Sequence, residues 1–228
     1  MRVGLAVLVA LLLPAVSWAS PGSLDPGFGM GGVSRVELNG SSRASAAAVA
    51  PDGRVVVGGY AGVDRSPFGV APERWTLVRL TASGRLDGSF GSQGVVDSGP
   101  GLVAGLVVQR DGAVLAVGEE PRDQSAYRSA AVVRRYRANG SLDPRFGSDG
   151  SVTLSGSGDD TSATAVLVQP DGRIVVAGAD GAQSVIWRLT AQGATDSTFA
   201  QGGGCCTKGG CCPAGLRRFG HASELHCV

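Results

Sequence analysis

Leu142-Asp143-Pro144-Arg145-Phe146-Gly147 decides how this chain is read, because the same phrase stands at Leu24-Asp25-Pro26-Gly27-Phe28-Gly29 and at Leu86-Asp87-Gly88-Ser89-Phe90-Gly91. A fourth, degraded copy is Thr195-Asp196-Ser197-Thr198-Phe199-Ala200. The copies begin 62, 56 and 53 residues apart, and self-similarity at such a period marks a repeat architecture. Two further markers keep the same phase. Pro51-Asp52-Gly53, Arg110-Asp111-Gly112 and Pro170-Asp171-Gly172 each precede an apolar run, Val55 to Val57, Val114 to Val117 and Ile174 to Ala177. Later in each unit comes Leu77-Val78-Arg79-Leu80, Val133-Arg134-Arg135-Tyr136 or Ile186-Trp187-Arg188-Leu189, closed by Gly84, Gly140 or Gly193.

Asp-Gly between two apolar runs is a strong hairpin signal, with Gly53, Gly112 and Gly172 supplying the positive φ of the turn. In the third unit the pattern predicts four strands, Val152 to Leu154, Thr164 to Val168, Arg173 to Ala177 and Val185 to Thr190. The middle runs are apolar on consecutive positions, so both of their faces are buried, as in sheets stacked face to face. Four-stranded sheets stacked about an axis make a β-propeller. Composition agrees: 37 of 228 residues are glycine, more than twice the usual ~7%, and no helix period appears after the N-terminal segment. Twenty basic against nineteen acidic residues leave a net charge of +1, which argues against nucleic acid as a partner.

Taken together, the Leu-Asp-x-x-Phe-Gly phrase, the strand starts Gly31-Gly32-Val33 and Gly94-Val95, the Pro-Asp-Gly-Arg turn and the Arg-Leu strand resemble the delta-60 β-propeller repeat. The resemblance covers residue 23 to about 203. It implies an all-β fold, here a partial β-propeller of about three four-stranded blades behind a signal peptide, and often an exported bacterial protein with no agreed activity. The units are about 23–85, 86–141 and 142–194, plus the start of a fourth. Arg110 departs from the proline of the other two turns, and Thr195 and Ala200 replace the leucine and glycine of the phrase. Propellers close with four to eight blades. The expectation is therefore a truncated chain, with self-association to complete a ring, or a partner over the opening, as alternatives.

Met1-Arg2, the apolar run Val3 to Leu13, Pro14 and the small residues Ser17 and Ala19 have the layout of a secretory signal peptide cut after Ala19. The apolar run is short of the ~20 residues that span a bilayer. A secreted or periplasmic protein, with no membrane span once the signal is removed, is expected. The C-terminal segment 204–228 breaks with everything before it. It holds all five cysteines and both histidines, Cys205, Cys206, Cys211, Cys212, His221, His226 and Cys227, and the one lysine, Lys208. Their spacing matches no standard zinc pattern, and an oxidising compartment favours disulfides. The abrupt change of composition reads more readily as a shifted frame or a disordered tail than as a cysteine module.

Asp25, Asp87 and Asp143 have two readings, as calcium ligands or as turn residues whose side chains accept backbone N–H groups; the following Pro or Gly favours the second. For Arg79, Arg135 and Arg188, pairing with those carboxylates so as to tie blade to blade outweighs substrate binding. Phe28, Phe90 and Phe146 read as plugs between sheets. Residues 20–203 contain no histidine and no cysteine, so a histidine-based triad is excluded there. The adjacent pairs Glu119-Glu120 and Asp159-Asp160 read as solvated loops. No cofactor is expected, with calcium or zinc as the metals to test. The function expected is a non-catalytic exported scaffold that binds a protein or glycan through blade loops, chiefly Asp64 to Glu73 with Phe68 and Glu119 to Ser129 with Tyr127. The alternatives are a fragment of a metal-dependent propeller hydrolase or lyase, and a non-functional truncated product.

Overall fold

Each Asp-Gly turn joins the first two strands of a four-stranded antiparallel sheet. The computed structural model describes residues 22–38, 40–62, 73–122, 128–156, 160–200 and 204–206. The first sheet contains β1 (Ser42–Val49), β2 (Val55–Ala61), β3 (Arg74–Leu80) and β4 (Val95–Pro100). The second contains β5 (Leu102–Val108), β6 (Val114–Pro121), β7 (Ser129–Tyr136) and β8 (Ser151–Thr153). The third contains β9 (Thr161–Val168), β10 (Ile174–Asp180), β11 (Gln183–Leu189) and β12 (Gly204–Cys206). Every strand pairs with its neighbours in chain order, the meander of a propeller blade. The protein is an all-β partial β-propeller.

The turns form as local chemistry dictates. Gly53, Gly112 and Gly172 have φ of 82°, 81° and 85°, a region that costs a side chain about 1–2 kcal/mol. Asp52, Asp111 and Asp171 each accept, through Oδ1, the N–H two residues on, at 3.0 Å. Arg110 occupies the place of Pro51 and Pro170, yet its turn closes in the same way, Gly112 N–H to the Gln109 carbonyl at 3.0 Å against Gly172 to Gln169 at 2.9 Å. Since Gln169 already precedes a proline in that conformation, Arg110→Pro is expected to add about 0.4–1 kcal/mol by restricting the unfolded chain. The urea midpoint measures it; a lower midpoint would mean the two turns differ in backbone.

The blades are out of step with the sequence units. Val152 to Leu154, expected as the first strand of the third unit, contributes instead β8, the outer strand of the second sheet, pairing with Val132 to Arg134 of β7. The reason is the Leu-Asp-x-x-Phe-Gly phrase. Asp143 N–H donates to the Arg135 carbonyl and Arg135 N–H to the Gly150 carbonyl, both at 2.9 Å, so the chain doubles back along β7. Likewise Gly204–Cys206 lies beside Val185 to Trp187 as the outer strand of the third sheet. The remainder of the cysteine-bearing segment and the N-terminal residues 1–21, where a signal peptide is expected, lie outside the described residues.

Two apolar layers hold the three blades together. Val56, Trp75, Leu77 and Phe90 of the first pack against Val103, Val114, Ala116, Val132 and Tyr136 of the second. Leu115, Val117, Val133 and Phe146 of the second pack against Ile174, Val176, Val185, Trp187 and Leu189 of the third. Successive residues of β6 thus enter opposite layers, which is why its apolar run is unbroken. Each such side chain fully buried contributes about 1.5–3 kcal/mol. The innermost strand of every blade carries a bulge opposite a glycine. A Cβ on Gly59, Gly118 or Gly178 would stand 1.8, 2.0 or 1.9 Å from the carbonyl oxygen of Arg43, Leu102 or Ser162.

Candidate functional site

The repeat residues meet at one end of the sheets, where the phrase leaves the third strand of a blade. Arg79 Nε donates to Asp87 Oδ2 at 2.8 Å, its guanidinium lies 4.6 Å above the Phe90 ring, and Nη1 reaches the Ala138 carbonyl of the next blade. Arg135 repeats this, with Asp143 at 2.9 Å, Phe146 at 4.8 Å and the Ala191 carbonyl of the third blade at 2.7 Å. Arg188 pairs with Asp196 at 2.8 Å over Phe199. The ion pair expected to tie blade to blade closes within one blade, because only eight residues of a tight turn separate its partners; the other guanidinium nitrogen makes the crossing. Phe90 and Phe146 are fully buried.

These carboxylates are held ionised. The Ser89 hydroxyl at 2.6 Å, helped by the Ser89 N–H and Arg79 and opposed by burial, lowers Asp87 to about 2. Thr198 does the same for Asp196, also about 2. For Asp143 burial opposes the shift, yet the Arg145 N–H and the Arg135 guanidinium keep it below the usual range. A carboxylate so weakly basic is a poor proton acceptor for the Ser89 hydroxyl near neutrality. Asp25 differs: its Oδ1 accepts the Gly27 N–H at 2.8 Å, and no arginine among the described residues pairs with it.

A cavity of about 490 Å³ opens at this end between the first two blades, bordered by Asp52, Arg54, Arg79, Ser89, Arg110 and Asp111. Arg54 is bound by Asp52 and by Asp87, the latter at 2.8 Å. Arg110 stands exposed at the rim. Among the described residues no three His, Cys, Asp or Glu side chains are grouped to hold a metal ion. Cys205 and Cys206 lie in β12; Cys211, Cys212, His221, His226 and Cys227 fall outside the described residues, as does Asp159.

The opposite end carries the connections between the second and third strands. They run through residues 62–73 in the first blade and 122–128 in the second, but only Gly181 and Ala182 in the third. Phe68 and Tyr127 belong to the parts outside the described residues. Around the long connections charged side chains pair: Arg74 with Asp97 at 2.6 Å, Arg134, reaching from within β7, with Glu120 at 2.5 Å, and the Ser129 hydroxyl donates to Asp160. Burial, with Asp160 and Glu73 adding to it against a Ser129 hydrogen bond, pushes the Glu119 carboxyl up. Arg134 also lies 4.6 Å over Trp75, whose buried Nε1 has no hydrogen-bond partner among the described residues. Neither residue stands out in the sequence, since Arg134 occupies the place of Val78 and Trp187.

A family model described as "Domain of unknown function (DUF5122) beta-propeller" matches residues 50–90, 109–146 and 169–199. Each match begins at the Asp-Gly turn and ends in the phrase, so its unit is the central hairpin of a blade with the ion pair at its exit. The N-terminal copy of the phrase, residues 24–29, lies outside the matched residues. No curated protein matches the chain.

Proposed function

The chain is a β-propeller repeat protein of the delta-60 type, and on that premise we propose that it is an exported, non-catalytic scaffold that binds a protein or glycan through the β2–β3 end of its blades. One observation supports this reading above others: both long connections, 62–73 and 122–128, leave from that same end, while the third blade makes the turn in two residues. A two-residue turn suffices for the fold, so the extra length serves something else, and binding residues gather on loops held by a rigid scaffold. At the other end Asp87, Asp143 and Asp196 are each paired with an arginine, an arrangement that suits holding the turns in place.

Replacing residues 63–72 by the Gly-Ala of the third blade is expected to leave the urea midpoint near its starting value. It should abolish binding detected on a glycan array or to immobilised cell-envelope proteins. Undiminished binding by a folded variant would overturn this reading.

A further inference from the structure

Residues 24–38 sit on the first blade as the connection between the third and fourth strands of one blade sits on the blade that follows it. Gly29 N–H donates to the Ser83 carbonyl at 2.9 Å, as Gly91 does to Asn139 and Gly147 to Gln192, both at 2.8 Å, in the next blade. Ser34 adds a hydroxyl bond to the Gly84 carbonyl at 2.7 Å. Yet what should lie on its other side is missing among the described residues. Asp25 has no arginine, Phe28 has no guanidinium above it, and residues 34–38, which alternate half-buried and exposed, pair with no strand.

The far end of the stack shows the complementary gap. Leu167 and Ile186 of the third blade are 53% and 37% exposed, while Leu77 and Val133, which stand where Ile186 does in the earlier blades, are fully covered by the next sheet. At the near end Val49 is 68% exposed, although Val108 and Val168 at its position are packed against the preceding blade. The third blade has its own outer residues, 195–200 and 204–206, but they are the poorer version: Ala200 takes a φ of 42° where Gly29, Gly91 and Gly147 take 55–58°, a region costly for a side chain.

We propose that residues 24–38 of one copy form the closing strand of the third blade of a second copy, head to tail. Asp25 takes the place of Asp196 on Arg188 of the second copy, Phe28 lies under that guanidinium, and residues 34–38 pair with β11 in place of Gly204–Cys206. The exposed side of each third blade then packs on the exposed side of the other copy's first blade. Two copies joined at both ends bring six sheets around one axis, within the range of four to eight. The joint is heterologous and closes because it occurs twice. It holds whatever the β2–β3 end binds.

A charge swap tests it. The protein recovered after export and kept reduced, so that the cysteines contribute no crosslink, is expected to have twice the chain mass by light scattering. Asp25→Arg, at an exposed position, is expected to give a folded monomer, and Arg188→Asp likewise. Mixed in equal amounts, the two variants should regain the doubled mass, since one joint then sets the introduced arginine against the introduced aspartate and the other keeps the original pair. A reduced wild-type protein that stays monomeric up to its solubility limit overturns the proposal. So does a dimer indifferent to Asp25→Arg. If Arg188→Asp does not fold, a photocrosslinker at Phe28 decides: adducts on residues 185–188 of another copy support the joint, and adducts confined to the same chain refute it.

Discussion

Phe146→Ala is expected to cost about 3–5 kcal/mol, the usual loss for a fully buried phenylalanine truncated in a core that collapses only partly. Its ring has the Arg135 guanidinium 4.8 Å above it and belongs to the layer between the second and third blades. Phe90, equally buried in the other layer, should lose as much. Phe28 and Phe199 are the same residue of the same phrase at the two ends of the stack and are only half-buried. At a concentration where the chain is monomeric, truncating either should cost roughly 1–2 kcal/mol, in proportion to the area covered. In a stack where each repeat touches only its neighbours, stability is a sum over interfaces, so position must decide the loss. Urea unfolding of the four variants measures the gradient. Equal losses at all four would mean that the phenylalanine serves its own turn, not the interface.

How far the fold could be read in advance depends on which features are local. The Asp-Gly turns, the doubly buried runs and the repeat period are properties of short segments, and they lead to stacked four-stranded sheets. The assignment of β8 to the second blade was not legible, because Val152 follows the phrase at the same distance whether the chain goes forward or doubles back; the two hydrogen bonds of Arg135 settle the direction. The bulge glycines do carry a signal in the sequence. Gly59, Gly118 and Gly178 recur in phase, each seven residues after the aspartate of its turn, Asp52, Asp111 or Asp171. Only the paired strand reveals the carbonyl that would strike a Cβ. At the site, the arginine–aspartate partnership was legible from charge and phase. Its confinement to one blade was not, since that depends on which guanidinium nitrogen faces the neighbour. Trp75 and Arg134 were hidden for a related reason: their stacking joins two blades, and no pattern within one repeat encodes it.

Asp87→Ala should be the most damaging change to a polar side chain. It strands Arg79, a guanidinium whose side chain is only 9% exposed, and removing one partner of a buried pair costs about 3–5 kcal/mol. Arg79 keeps its bonds to the Ala138 carbonyl and the Ser89 hydroxyl and its place over Phe90, so the loss should fall at the lower end. Removing the pair together, Arg79→Met with Asp87→Leu, should restore much of it, because no charge is then left uncompensated. The pH profile gives an independent check. Asp87 stands at about 2 in the folded chain against about 3.9 when unfolded. A carboxyl lowered by folding stabilises the native state above the unfolded value, and that contribution disappears as pH falls from about 4 toward 2. Asp196, also at about 2, titrates in the same window, so the wild-type protein should lose stability there and Asp87→Ala should lose less. A profile for Asp87→Ala parallel to wild type through that window would mean that the carboxylate is not held by the contacts seen around it.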